Sequence, residues 1–141
     1  MGFKVAISDI DQVFQKSIHS VIFRVDSPND ANARATDIGN IIEIFGKIDS
    51  DEKTVDLYLW SLLPVNDPKA YRNVEIETTG AKGNSIRKVT FPQAFVLDYA
   101  ESYSIHEGEG TFYLLLKQKL DKTSSIVVEG EKEQDDLAKT E

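Results

Sequence analysis

Apolar positions along this chain recur with a period of two more often than with the period of a helix. In "FKVAISDI", Phe3, Val5 and Ile7 alternate with Lys4, Ala6 and Ser8, the pattern of a half-buried strand. "SIHSVIFRVDS" continues with Ile18, Ile22 and a β-branched and aromatic mixture. In "GNIIEIFGKI", Ile42, Ile44 and Gly46 oppose Ile41, Glu43 and Phe45. Apolar residues on both faces predict a strand covered on each side. "AYRNVEIETTG" and "IRKVTF" flank the turn sequence "GAKGNS" and read as a hairpin. Beyond Pro92, "QAFVLDYAESYS" and "TFYLLLKQKL" form a second hairpin around the bend "IHEGEG". Val96 and Tyr99 cannot share a face of a regular strand, so a bulge is expected near Asp98. Pro92 lacks an N–H and belongs at a strand start, an edge or a bulge.

One segment departs from this rhythm. "DSDEKTVDLYLWSLLP" places Val55, Leu59 and Leu62 on one helical face with Trp60 and Leu63 beside it. Asp49 followed by Glu52 resembles a capping signature, and Pro64 supplies a stop. Val55, Leu57 and Leu59 also alternate, but the length, the cap and the stop favour a helix over about 50–63, with Trp60 in the core. The predicted class is mainly β: a small antiparallel β-barrel or sandwich of about seven strands with one short helix. Residues 1–128 are expected to form a single barrel-like domain. Residues 129–141 hold six acids against two lysines and one large apolar residue, Leu137, and read as a flexible acidic tail.

"SPNDANARATDIG" interrupts all periodicity between two strands and reads as a long polar loop. Asn29, Asp30, Arg34 and Asp37 are its polar and charged groups.

Composition narrows the chemistry. A chain of 141 residues, 40% apolar and 28% charged, is sized and composed for one globular domain. The absence of cysteine removes disulfides, thiolate metal sites and cysteine nucleophiles. It also fits the reducing cytoplasm, where the chain is expected to be made. The N-terminal "MGFKVAISDIDQ" has neither the basic flank nor the apolar core of a signal peptide, and Ala6 breaks the myristoylation pattern. No apolar run approaches the roughly 20 residues that span a bilayer, so no membrane partner is expected. A net charge of −8 and a pI near 4.8 disfavour nucleic-acid binding.

Candidate catalytic groups fail one by one. His19 and His106 are the only imidazoles. "HEGEG" lacks the second His of a zinc helix. "SDIDQ" and "DSDE" offer close carboxylates without the ligand spacing or mid-loop Gly of a calcium loop. "GAKGNS" lacks the Gly-Lys-Ser/Thr of a phosphate loop, and no Gly-x-Ser-x-Gly elbow occurs. Asp98 and Glu101, three apart in a strand, point to opposite faces. No catalytic residue, cofactor site or metal site is predicted, and the chain is expected not to be an enzyme.

The order of these features resembles one family. Ser20 and Phe23 stand in the early strand, and Leu57 and Trp60 in the helix. Arg87–Phe91, Ala94, Asp98, Tyr99 and Glu101 follow, and Phe112–Gln118 closes the series. Over residues 3 to 120 the chain is similar to the tube subunits of contractile injection machines: the hemolysin-coregulated protein of type VI secretion and phage tail tube proteins. The resemblance implies subunits that close a small β-barrel and form a hexameric ring. Rings then stack through a long loop into a tube, which makes Asn29, Asp30, Arg34 and Asp37 the candidate assembly residues, alongside other injection-system proteins, in a phage-like particle or a secreted tube. A monomeric adaptor or protein-binding module on the same fold is the alternative, because one fold hosts many functions.

Overall fold

Because side chains alternate across a pleated strand, the period-two segments can all turn one apolar side inward, and they do. The computed structural model describes residues 1–26, 39–118 and 127–130. It contains β1 (Gly2–Ile7), β2 (Val13–Phe14), β3 (Ile18–Asp26), β4 (Gly39–Lys47), helix α1 (Val55–Ser61), a 3-10 turn (Pro68–Ala70), β5 (Arg72–Thr79), β6 (Ser85–Ser104), β7 (Glu109–Gln118) and β8 (Val127–Gly130). All pairings are antiparallel, in the order β2-β1-β5-β6-β7-β4-β3, with β8 added to β6. Among the described residues the terminal strands β2 and β3 do not pair with each other. The sheet curls around its core without closing, so of the two architectures expected it is the sandwich that forms. Val5, Ile7, Phe14, Ile42, Ile44, Val74, Ile76, Leu114 and Leu116 fill the space between the two halves.

The fold turns on β6. Its first half pairs with β5, from Ser85 to Ala94, and its second half with β7, from Ala94 to Ser104. The sequence read as two strands split at Pro92; the chain instead runs through as one strand of 20 residues. Pro92 lies between the last β8 pair, at Thr90, and the first β7 pair, at Ala94, where its missing N–H leaves no ladder bond unmade. Gln93 adopts a left-handed φ of 59°, and the β5 ladder shifts register opposite it, between Arg72 and Val74. The irregular backbone is satisfied by side chains: Gln93 N–H donates to Asn73 Oδ1 at 3.3 Å. The buried Gln118 donates from Nε2 to the Pro92 carbonyl at 3.1 Å and accepts from Asn40 Nδ2 at 3.3 Å. The second irregularity, between Val96 and Asp98, is the bulge expected from the sequence.

β4 is an interior strand between β7 and β3. Ile42 and Ile44 are in the core, whereas Ile41, Glu43 and Phe45 are only half-buried. The second apolar face is shielded by its own neighbours on the sheet rather than by another layer, a correction to the expected two-sided cover. Gly46 is required sterically: a Cβ there would lie 2.1 Å from the Ser17 carbonyl oxygen and 2.6 Å from the Phe112 ring.

The helix is shorter than the expected 50–63, and it is turned the other way. Leu57 and Trp60 are its buried residues, and the Trp60 indole N–H donates to the Ala70 carbonyl at 2.9 Å. The Arg72 guanidinium lies 5.3 Å over the Trp60 ring. Val55, Leu59 and Leu62, the stripe assigned to the core by spacing, are 61%, 53% and 63% exposed. Leu57 and Trp60 lie three apart and form a stripe of their own. With only seven residues available, the larger Trp decides which face goes inside.

Glu52 does not cap α1 either; the N-cap is Thr54, without a side-chain bond. The buried Glu52 carboxylate instead reaches the strand connection between β2 and β3. It accepts from the backbone N–H groups of Gln15 (2.9 Å), Lys16 (3.1 Å) and Ser17 (2.9 Å), and from the Ser17 hydroxyl (2.5 Å). Gln12 adds two bonds to the same segment, to the Asp51 carbonyl and from the Lys53 N–H. Burial pushes the Glu52 carboxyl up, but the hydrogen bonds from Ser17, Gln15 and Lys16 together outweigh it and hold the group below its ordinary value of 4.5.

Three outcomes follow from this packing. Trp60→Ala lowers stability by about 3–5 kcal/mol, the usual loss for an emptied aromatic core site, measured by denaturant unfolding. Glu52→Gln costs about 2–4 kcal/mol near neutral pH, from lost charge-assisted hydrogen bonds. Because the folded carboxyl titrates low, its contribution is complete above the unfolded value of 4.5 and fades as pH falls through the lower folded value. Melting curves of parent and variant should therefore converge in acid. Finally, β8 crosses the expected boundary at residue 128. A chain ending at Gly130 should keep the parent's cooperative melting transition, and one ending at Ile126 should lose several degrees, read by calorimetry.

Candidate assembly surface

The strands β3, β4, β7 and the second half of β6 form one four-stranded layer. Its registers align the side chains in rows. Ser20, Phe45, Tyr113 and Ala100 share one row on the outer face, and Ile22, Glu43, Leu115 and Asp98 the next. On the opposite face Val21, Ile44, Leu114 and Tyr99 form a row that points toward the core. The outer face is a mixed apolar and charged surface. The Phe45 and Tyr113 rings meet at a 45° tilt, 4.9 Å between centroids. Glu43 sits between Tyr113, whose hydroxyl donates to it at 2.7 Å, and Arg24 at 3.6 Å. The hydrogen bond to Glu43, helped by burial, pushes the Tyr113 hydroxyl up to about 12, so the hydroxyl keeps its proton across the neutral range.

Both margins of the layer are open. β3 pairs with β4 alone, and Phe95–Ser104 of β6 pair with β7 alone among the described residues. The nine residues of β3 include no Pro or Lys, and its edge is blunted only by Arg24, Asp26 and the ladder shift at His19. Ile22, Phe23 and Val25 stand 43%, 40% and 64% exposed along it. At the opposite margin, Tyr58 of α1 meets Tyr99 edge-on at 5.7 Å. Glu101 accepts from both neighbouring tyrosines, Tyr99 at 2.5 Å and Tyr103 at 2.7 Å. Burial first, then the Glu101 bond, raises the Tyr99 hydroxyl; the Glu101 bond is the main cause for Tyr103. The β6–β7 turn beyond them, the expected bend, carries Gly108 at φ 71° and the protruding Ile105.

The sequence candidates are dispersed. His19 is the extra residue where the β3 ladder shifts, exposed on the rim of a cavity of about 300 Å³ with Phe45, Gly46 and Tyr113. His106 lies in the exposed β6–β7 turn. Asp98 faces outward beside Leu115 and Glu101 lies beside Phe112 on the other face, so the two carboxylates are apart as expected. Among the described residues no three His, Asp or Glu side chains gather as a metal site, and no helix is long and apolar enough to cross a membrane. Asn29, Asp30, Arg34 and Asp37 lie outside the described residues. Sequence reasoning missed the open β3 margin and the outward stripe of α1. The lack of Pro and Lys from residues 18–26 was the signal for the first.

No family model and no curated protein matches the sequence. Solved structures do match in fold. Hcp1 from Flavobacterium johnsoniae aligns with a TM-score of 0.62 at 12% identity, over 92% of this chain and 96% of that one. Hcp1 from the E. coli EAEC 042 pathovar aligns with a TM-score of 0.59 at 9% identity, over 92% and 99%. A chain of the anti-feeding prophage tube-terminating cap aligns with a TM-score of 0.55 at 12% identity, over 91% and 87%. Agreement with both kinds of protein over 91–92% of this chain, on a mainly antiparallel β scaffold with one α-helix among the described residues, identifies its fold as the Hcp-like tail-tube fold.

Proposed function

We infer that this chain is a non-enzymatic structural subunit of a phage-tail-like or type VI-like contractile injection tube, assembling into hexameric rings that stack. The observation that carries the reading is the four-stranded layer whose margins, β3 at one side and Phe95–Ser104 at the other, are both open among the described residues. Two different margins on one subunit favour a head-to-tail contact, which closes into a ring when the rotation allows. An exposed edge strand in a monomer is a liability that pairing with a second copy removes. Several structural neighbours are tube or tube-terminating proteins, which supports the same reading. The chain would be made in the cytoplasm and assembled there with other injection-system proteins, needing no cofactor.

The connection 27–38 leaves the end of β3 and returns at the start of β4, so it is anchored at the open margin. In this reading Asn29, Asp30, Arg34 and Asp37 make the contact between stacked rings. Light scattering and negative-stain microscopy of the purified chain at high concentration should show rings or tubes. The paired reversal Asp30→Lys with Arg34→Glu should shorten or abolish stacks while circular dichroism and melting temperature stay at parent values. A parent that is monomeric at every concentration would overturn the tube and leave the adaptor in its place.

A further inference from the structure

Helix α1 shows solvent a complete apolar stripe. Val55, Tyr58, Leu59 and Leu62 fall at i, i+3, i+4 and i+7, and Val65 extends the line past the helix end. Between 46% and 71% of each is exposed. No charged residue belongs to the stripe; Asp51 and Lys53 just before the helix and Lys69 in the turn after it are exposed. An apolar centre inside a polar rim is the anatomy of a protein–protein contact.

The sheet registers say which occupant fits. Tyr99, the residue that Tyr58 of α1 touches, shares its row with Val21 of β3 at the far margin of the same layer. Val21, Phe23 and Val25 therefore lie on the same face of the layer as α1. If a second copy sets its β3 against the open β6 margin, the pleat keeps faces matched. The incoming Val25, 64% exposed, and Phe23, whose ring stacks on its own Phe91 at 5.8 Å and keeps 40% of its surface exposed, are then on the α1 side. Ile22 and Arg24 point to the other face, away from the helix. Both surfaces are neutral and apolar, so their contact buries no unpaired charge. A specific interface covers about 800 Å² on each partner, more than one strand margin offers alone, and the stripe supplies further apolar area.

We propose that the exposed stripe of α1 is the seat for the β3 margin of the neighbouring copy, with Leu59 and Leu62 packing on that copy's Phe23 and Val25. The proposal rests on the head-to-tail ring reading and names its contact surface. It makes the helix a clamp: the strand margin joins the sheet, and α1 closes over its inward side chains.

The absence of cysteine makes disulfide trapping clean. A chain carrying both Val25→Cys and Leu59→Cys should give a ladder of linked oligomers on a non-reducing gel. Each single variant should give none, because the two positions meet only between different copies. Leu59→Lys with Leu62→Lys should raise the concentration for half-assembly at least about tenfold, the effect of removing one or two buried leucines, with the parent melting temperature retained. A dimer from L59C alone would mean that α1 meets α1 across a two-fold axis, and would overturn the proposal. Unimpaired assembly of the lysine variant, with no ladder from the double cysteine variant, would overturn the clamp and leave the tube reading standing. A parent that never assembles would overturn both.

Discussion

A single strand that changes partners organises this molecule. β6 pairs with β5 in its first half and with β7 in its second, so one continuous backbone belongs to both halves of the sandwich. A strand cannot do this with regular geometry, because its backbone groups would face the wrong neighbours at the crossing. Pro92 removes one donor there, Gln93 takes a left-handed conformation, and Asn73 and Gln118 bond the backbone groups that the ladders leave over. Gln118 is fully buried and Asn40 bonds to it, which ties the crossing to β4 and β7. The apolar core then fills the space that the crossing creates.

Helix α1 is held by two kinds of force with different consequences. Leu57 and Trp60 anchor it by burial, an interaction indifferent to pH. Glu52 anchors the segment before it through a carboxylate that binds three successive backbone N–H groups and a hydroxyl. No cation is needed, since aligned amides stabilise a buried anion directly. The geometry leaves the rest of the helix free to present its apolar residues outward.

The physical logic of the surface is incompleteness. Among the described residues, a four-stranded layer with an open β3 at one side and an open half of β6 at the other has donors and acceptors in rows on both margins. Polar chemistry on the outer face is paired internally, as in the Tyr113–Glu43–Arg24 group, and the tyrosines at the β6 margin are held by Glu101. Such arrangements fix side-chain positions and favour a subunit whose product is shape.

Alternation alone determined most strands. Phe3, Val5 and Ile7, or Val74 and Ile76, announce which side is buried because a strand offers only two faces. The bulge near Asp98 was legible for the same reason: Val96 and Tyr99 have to reach one core. The turn at residues 105–108 was legible from its glycine and polar content. The helix was legible as a helix, with Trp60 in its core, but its inward face was not: a stripe of Val55, Leu59 and Leu62 and a stripe of Leu57 and Trp60 are both compatible with 3.6-residue periodicity. Only packing against Ala70, Arg72 and the sheet settles which one is covered. Glu52 read as a helix cap because capping is local in sequence, whereas its actual partners lie 35 to 37 residues away. Pro92 read as a break, because the side chains that carry a strand through it come from Asn73 and Gln118. Closure of the sheet was likewise undetermined, since pairing of β2 with β3 depends on the curl accumulated over all the strands between them.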